Sequence, residues 1–287
     1  MRSPATSSQS PAISGRALAL LGALAIALVA AVVVAPGPLA AIGSDAGFAD
    51  KHNFTEAVRE EFVKYWSSGD RDFSPGLARV VDYWFRFHVA KAVIAAILLI
   101  VLVTLGVPLW KAFLRAGGLR ARVRVALGSA GVLVTMLALL SLVTVMANIQ
   151  GAVAPFASLL PMLIGGETNG GLTDTLDQVR QRLADSPNAG DQTPPALDAM
   201  VGGFTRYHVA MAVIAAIVAV VLLGVTGVLW RRFARTASSD RRTRRVLAAF
   251  GLLVALLSLA TIVLAVVNAT TAGNSAPALL ALFNGGW

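Results

Sequence analysis

The sequence predicts an all-α integral membrane protein with five transmembrane helices. Its 287 residues are 56% hydrophobic and only 14% charged, whereas a soluble domain carries roughly 25% charged residues. An apolar stretch at 85–115 is long enough to cross a bilayer and recurs 120 positions later, at 205–235. Between 86 and 115, 16 of 30 residues are identical to the residue 120 positions further on. We therefore expect a tandem (parallel) duplication, in which spans 2–5 form a pseudo-twofold four-helix bundle with small extracytoplasmic amphipathic helices.

The amino-acid composition excludes several kinds of chemistry. The chain has no cysteine, so it cannot form disulfides, thiolate metal sites or a thiol nucleophile. It also lacks the H-E-x-x-H, P-loop and nucleophile-elbow motifs of common enzymes. Its net charge of +9 comes from basic residues that flank membrane spans, which argues against nucleic-acid binding. Arginine outnumbers lysine 20 to 4, a bias that favours a bacterial source.

The N-terminal region contains a polar tail and an anchor. Residues 1–15 are rich in serine and proline, which predicts a disordered cytoplasmic tail. Residues 16–41 contain an apolar run from Ala17 to Ala35. Because a signal peptide has a shorter apolar core, of about 7–15 residues, we favour an uncleaved first span. The alternative is a signal peptide that is cleaved near Ala40 or Ala41.

Residues 42–166 form the first predicted repeat unit, which has an outer amphipathic helix, two spans and a short interfacial segment. Asn53 followed by Glu56 resembles a helix cap. Phe54, Val58, Phe62 and Trp66 then form a hydrophobic stripe along one face of the predicted helix. Ser74 and Pro75 predict the start of a helix that continues into the second span. The two spans cover about 89–110 and 125–147. The apolar segment 151–166 is too short to span and contains two prolines, which is typical of interfacial or re-entrant segments.

Residues 167–287 form the second predicted repeat unit, in the same order. Its amphipathic stripe has a predicted cap at Thr173 and contains Leu172, Leu176, Val179 and Leu183. Its spans cover about 209–230 and 246–267. The chain closes with an apolar segment, residues 276–286, that resembles the one closing the first unit.

The distribution of charge predicts the orientation. The N-terminal tail and the two short loops carry 14 basic residues and one acidic residue, while the two long connections carry 9 basic and 14 acidic residues. By the positive-inside rule, the N-terminus and short loops are cytoplasmic. Five spans then place the C-terminus outside the cytoplasm. We expect a multi-pass protein of the bacterial cytoplasmic (inner) membrane.

His88 and His208 are the sharpest pair of candidate site residues. They occupy equivalent positions at the outer ends of two parallel spans. Two neutral imidazoles at one depth could hold haem b or a metal. A duplication also copies residues that have no function. The simpler interpretation is that these histidines lie at the membrane interface and bind nothing, and we therefore predict no cofactor.

Three polar residues within or at the ends of spans are further candidates. Asn148 and Asn268 end the third and fifth predicted spans; they either cap the helices or line a polar path. Lys91 lies one turn below His88 and has Met211 as its counterpart. An ionisable residue within a span is a functional candidate, although its long stem also lets the amine reach the interface.

Aromatic and basic residues mark the other end of the spans. Trp110 with Lys111, and Trp230 with Arg231, are predicted membrane-interface anchors. The arginine-rich loops after them are expected to contact an anionic inner leaflet.

Three functions are compatible with these features. The first is a non-enzymatic accessory or scaffold subunit of a bacterial cell-envelope complex, bound to a membrane-protein partner or to copies of itself. The alternative is a small transporter or channel with a path along the pseudo-twofold axis. The third is a bis-histidine haem-binding electron carrier.

Overall fold

The computed structural model describes residues 15–116, 120–165, 170–189 and 194–286. The predicted disordered tail lies outside these residues, apart from Gly15. Within the described residues every regular element is helical, as predicted: α1 (Gly15–Val34), α2 (Pro36–Ala40), α3 (Lys51–Ser68), α4 (Pro75–Arg115), α5 (Ala121–Val153), α6 (Pro155–Leu159), α7 (Gly170–Ala189), α8 (Pro195–Arg235), α9 (Arg241–Gly273) and α10 (Ser275–Phe283). Two short 3₁₀ helices, Gly43–Ala49 and Leu160–Leu163, complete the described elements.

Five of these helices are long and apolar enough to cross a membrane: α1, α4, α5, α8 and α9. Many of their large apolar side chains are exposed on the surface of the chain. Such surfaces are unfavourable in water and need no protein cover in hydrocarbon. The chain is therefore a multi-pass membrane protein, as the sequence predicted.

The spans pack in the order α1, α4, α5, α8, α9. Leu98, Val101 and Leu102 of α4 share one apolar cluster with Ala25 of α1 and Val134 of α5. A second cluster joins α5 to α8 through Met146, Met211 and Ala215. At the opposite end of the spans, the rings of Trp110 in α4 and Phe250 in α9 also meet, at a centroid distance of 4.9 Å.

α4 and α8 each contain 41 residues, so each is about 60 Å long. The hydrocarbon core of a bilayer is only about 30 Å thick. The first three or so turns of each helix therefore extend beyond the apolar region. There they pack with α3, α6, α7 and α10 around one continuous core. We call this assembly, the four helices with the first turns of α4 and α8, the cap.

The predicted amphipathic stripes supply much of the core of the cap. Phe54, Val58 and Phe62 of α3 are buried, and so are Leu172, Leu176, Val179 and Leu183 of α7. Tyr65, rather than the predicted Trp66, is the fully buried aromatic residue at the end of α3. The indole of Trp66 instead donates to Gln178 of α7, at 3.2 Å.

The start of α4 is as predicted, and two other predicted caps are wrong. Ser74 accepts a hydrogen bond from the backbone of Leu77, and Pro75 occupies the first turn of α4. α3 begins at Lys51, because the carboxylate of Asp50 caps it by accepting from Asn53 N. Asn53 therefore lies in the first turn. Thr173 likewise lies inside α7, which begins at Gly170.

The proline-containing segments that follow α5 and α9 pack in the cap. In the first segment, Phe156, Leu159, Leu160 and Leu163 are buried in the core of the cap. In the second, Leu279, Leu282 and Phe283 lie in the same core. α5 ends at Val153, and Pro155 begins α6, because proline lacks the backbone donor that would continue α5.

Candidate functional site: two histidine–asparagine pairs and a cavity

His88 of α4 and Asn148 of α5 form a partly buried hydrogen-bonded pair. The ring Nδ1 of His88 lies 2.9 Å from the side-chain Oδ1 of Asn148. The amide Nδ2 of Asn148 donates to the backbone carbonyl of Thr144, at 2.7 Å. This second bond orients the amide and makes Oδ1 an acceptor, so Nδ1 of His88 carries the proton. A neutral ring then presents its lone pair at Nε2.

His208 of α8 and Asn268 of α9 repeat the arrangement. Their Nδ1 and Oδ1 atoms are also 2.9 Å apart, and Asn268 Nδ2 donates to the carbonyl of Leu264. Each asparagine therefore lies within its helix, five residues before the helix ends. Neither is the terminal cap considered from the sequence. Each pair joins two consecutive spans through a bond that lipid would not replace.

The ring of His88 is tightly packed. Trp84 lies one turn before it, with an edge-to-face ring contact at 4.7 Å. On the other side, a Cβ built on Gly151 of α5 would lie 2.5 Å from Nε2 and from Cε1. The backbone of α5 therefore lies directly against this end of the ring. Nε2 of His88 is buried and makes no hydrogen bond with any described residue.

A cavity of about 630 Å³ opens beside this pair. Its lining comes from both the cap and the spans, and includes Phe54 and Lys51 of α3, Trp84, Phe87 and Lys91 of α4, and Tyr207 of α8. Phe54, Trp84 and Phe87 form a continuous stack, with centroid distances of 5.1 Å and 4.8 Å. The size is in the range of small-molecule sites, about 300–1,000 Å³.

Lys91 contributes its amine to this region. The Nζ atom lies 5.4 Å from the centre of the Phe87 ring, one turn toward the N-terminus of α4. This direction is the one in which helical side chains tilt and agrees with a stem that carries the amine toward the cap. The counterpart Met211 is buried at the contact between α5 and α8.

The surroundings of the histidines limit how a metal ion or a haem could bind. Among the described residues no group of three or more histidine or acidic side chains is placed to hold a metal ion. Nε2 is the nitrogen of His88 that is left for a ligand, and it lies against Gly151. A haem at this nitrogen would require the ring or α5 to move. The bis-histidine haem hypothesis stays a prediction, to be checked by a Soret band in purified protein.

The predicted interface anchors lie at the other end of the spans. Trp110 also packs between helices: its indole donates to Thr135 of α5, at 3.2 Å. Trp230 is 44% exposed and packs against Gly251. Lys111 and Arg231, which follow them, are exposed. Their anchoring role remains a prediction.

The sequence did not reveal three features of this site: the pairing of each histidine with an asparagine, the packing of Gly151 and the cavity. The two members of each pair are 60 residues apart, and the shared 120-residue register of both was the one available signal. Comparison of the chain with protein-family models, curated proteins and solved structures finds no match. Fold and site together define the class: an all-helical multi-pass membrane protein whose spans support a helical cap.

Proposed function

We propose that this protein is a non-enzymatic accessory subunit of a bacterial cell-envelope complex, and that α8 receives a transmembrane helix of its partner. One observation carries the proposal. The first unit has an additional helix, α1, that covers one face of α4, whereas the corresponding face of α8 is exposed in the part of the chain that the structure describes.

Two pairs of equivalent positions show the difference. Val101 of α4 is 7% exposed, and its counterpart Val221 of α8 is 59% exposed. Leu105 packs beside the cluster that contains Ala25 of α1, while its counterpart Val225 is 41% exposed. A face that binds a helix in one unit is therefore bare in the other.

The exposed surface of α8 also contains two small residues beside this face. Gly224 and Gly227 have no atom within 4 Å of a Cβ built on them. Small residues allow close approach of helix backbones, where dispersion and not the hydrophobic effect drives association. An external helix that packs over Val221 and Val225 would repeat the contact of α1 with α4, and the neighbouring glycines would allow it to approach closely.

The parallel duplication and the orientation of the chain in the membrane are part of the same proposal. α4 and α8, and likewise α5 and α9, have equal lengths and begin 120 residues apart, which supports a parallel duplication with pseudo-twofold symmetry. The acidic long connections belong to the cap and the basic loops to the opposite end. This charge pattern supports a cap outside the cytoplasm and an N-terminus inside it.

A position-specific crosslinking experiment tests the proposal. A photoreactive residue at Val221 is compared with one at Leu259 of α9, which is also 59% exposed. In native membranes we expect one stoichiometric partner, identified by mass spectrometry, to crosslink at 221 and not at 259. A second copy of this chain at 221 would make the protein a homo-oligomer. Equal, diffuse crosslinking at both positions contradicts the proposal.

A mild-detergent purification complements the crosslinking. The same partner should copurify, and Val221→Trp should release it while Leu259→Trp should not. A protein that purifies alone would instead favour the alternative function, a transporter or channel, to be tested by solute flux in liposomes with substitutions at Asn148 and Asn268.

A further inference from the structure

We propose that the cavity beside His88 is a binding site for an amphipathic anion, an apolar chain that carries a carboxylate or phosphate group. This site is separate from the bare face of α8 and does not depend on the accessory function. Its ligand is recognised by the aromatic wall and by two lysines.

The wall of the cavity suits an apolar chain. The Phe54–Trp84–Phe87 stack lines the cavity with aromatic rings, and its position is fixed by a hydrogen bond from Trp84 Nε1 to Ser158, at 2.8 Å. Ser158 in turn donates to the carbonyl of Pro155. The hydroxyl that holds the stack is therefore already occupied, and the remaining wall is largely apolar.

The charge of the cavity suits an anion. Its lining contains Lys51 and Lys91 and no aspartate or glutamate. Among the described residues neither lysine forms an ion pair within 4.0 Å. Lys91 is half-buried beside the ring of Phe87. A partly buried amine without a carboxylate partner favours an external anion, because burial strengthens charge interactions.

The second unit supplies an internal comparison. The position equivalent to Lys91 is Met211, and residues 167–287 contain no lysine. His208 is 4% exposed and Met211 is 8% exposed, packed against Met146 and Ala215. The second unit therefore keeps the histidine–asparagine pair and replaces both lysines. The pair alone is thus a structural connection, and the binding features are particular to the first unit.

The position of the cavity gives a route for the ligand. Lys51 and Phe54 come from the cap, whereas Lys91 and Ala147 come from the spans. The cavity thus lies where α4 leaves the cap and its apolar stretch begins. An amphipathic molecule at that level would place its charged group at the lysines and its chain toward the hydrocarbon.

Native mass spectrometry of the full-length protein tests this inference. Protein in a neutral detergent is titrated with a short-chain anionic phospholipid, a free fatty acid, and a zwitterionic phospholipid with the same chains. We expect one tightly bound anionic amphiphile per chain. Stronger binding of the phospholipid identifies a membrane lipid as the ligand, and stronger binding of the fatty acid identifies a free carboxylate; either supports the site.

Substitutions at Lys91 test whether the anionic amphiphile binds in this cavity. Lys91→Met installs the residue that the second unit has at this position, and binding should weaken by about tenfold or more, because a charge-assisted contact is lost. Lys91→Arg should retain most of the affinity. Lys64→Met, on the exposed face of α3 and outside the cavity lining, is the matched control and should bind as the unchanged protein does.

Three results would overturn the inference. They are equal affinity for the zwitterionic lipid, equal affinity of the Lys91→Met and Lys64→Met proteins, and the absence of any bound amphiphile. Circular dichroism and gel filtration of each variant verify folding. If Lys91→Met does not fold, Lys51→Met gives the same comparison from the exposed rim of the cavity.

Discussion

The substitution Gly151→Ala should separate α4 from α5 at the His88–Asn148 pair. Alanine normally stabilises a helix relative to glycine, by up to about 1 kcal/mol. At position 151, however, the new Cβ would lie 2.5 Å from Nε2 and Cε1 of His88 and 2.7 Å from Cδ2. No ordinary carbon contact is that short, so either the ring or α5 must move.

The ring of His88 cannot move without losing contacts. It is held by the bond to Asn148 and by the edge-to-face contact with Trp84. Overpacking of this kind costs about 1–3 kcal/mol. A displaced ring also leaves a buried donor unsatisfied, at about 1–3 kcal/mol. After the helix propensity of alanine is subtracted, we expect a loss of about 1–5 kcal/mol in the free energy of unfolding.

Reversible unfolding in mixed micelles, followed by circular dichroism, measures this loss. Gly224→Ala is the matched control, because a Cβ on Gly224 of α8 has no atom within 4 Å. The control should be as stable as the unchanged protein or slightly more stable. In the double variant His88→Ala with Gly151→Ala the clash is absent, so the two substitutions should couple strongly.

The reasoning is refuted if Gly151→Ala and Gly224→Ala unfold at the same denaturant activity. It is also refuted if the effects of His88→Ala and Gly151→Ala simply add. Either result would mean that the backbone of α5 does not lie against the ring of His88.

Three further predictions concern the second pair, the orientation and the cap. Asn268→Leu removes the acceptor of His208 Nδ1 and should lower the free energy of unfolding by about 1–3 kcal/mol; an unchanged denaturant midpoint in micelles would contradict a structural role. Because the chain has no cysteine, single cysteines can map its orientation with an impermeant maleimide: Ser67→Cys in the cap should react in intact cells, Ser239→Cys only after lysis, and the reverse pattern would invert the topology. Burial raises the pKa of Tyr65 to about 12, above the value of about 10 for an unfolded tyrosine, so the stability that neutral Tyr65 supplies is complete below pH 10 and is lost as the pH rises toward 12. Tyr65→Phe should remove this loss of stability at alkaline pH. Unfolding at pH 9 and at pH 11, with the unchanged protein as reference, measures the difference. An identical loss in both proteins would show that Tyr65 is not buried.

Local sequence patterns predicted the elements well where a single helix suffices to define them. The five spans follow from apolar runs, because a bilayer fixes the length that a span must have. The start of α4 follows from Ser74 and Pro75, which satisfy the first turn locally. The predicted caps at Asn53 and Thr173 failed, because several neighbouring polar residues can begin a helix. At α3 it was Asp50 that lay in position to accept from Asn53 N.

The terminal apolar segments show a different limit. Their prolines and short length correctly excluded a span, but those features are shared by interfacial segments and by helices packed in a core. Phe156 and Phe283 are buried because α3 and α7 offer apolar faces above the spans. Whether these segments pack against protein or against the membrane interface is decided by the assembly of the whole cap.

The sequence by itself determined that this chain crosses a membrane, how many helices do so, and which residues recur at a spacing of 120. These properties depend on composition and on patterns within a few turns. Only the tertiary structure decided that His88 bonds to Asn148, that Gly151 lies against its ring, and that a cavity lined by two lysines opens beside His88. Each of these features depends on contacts between helices that lie about 60 residues apart in the chain. The fit of side chains across the interface fixes how packed helices are rotated relative to each other, and the hydrophobic periodicity of a single helix does not reveal that rotation.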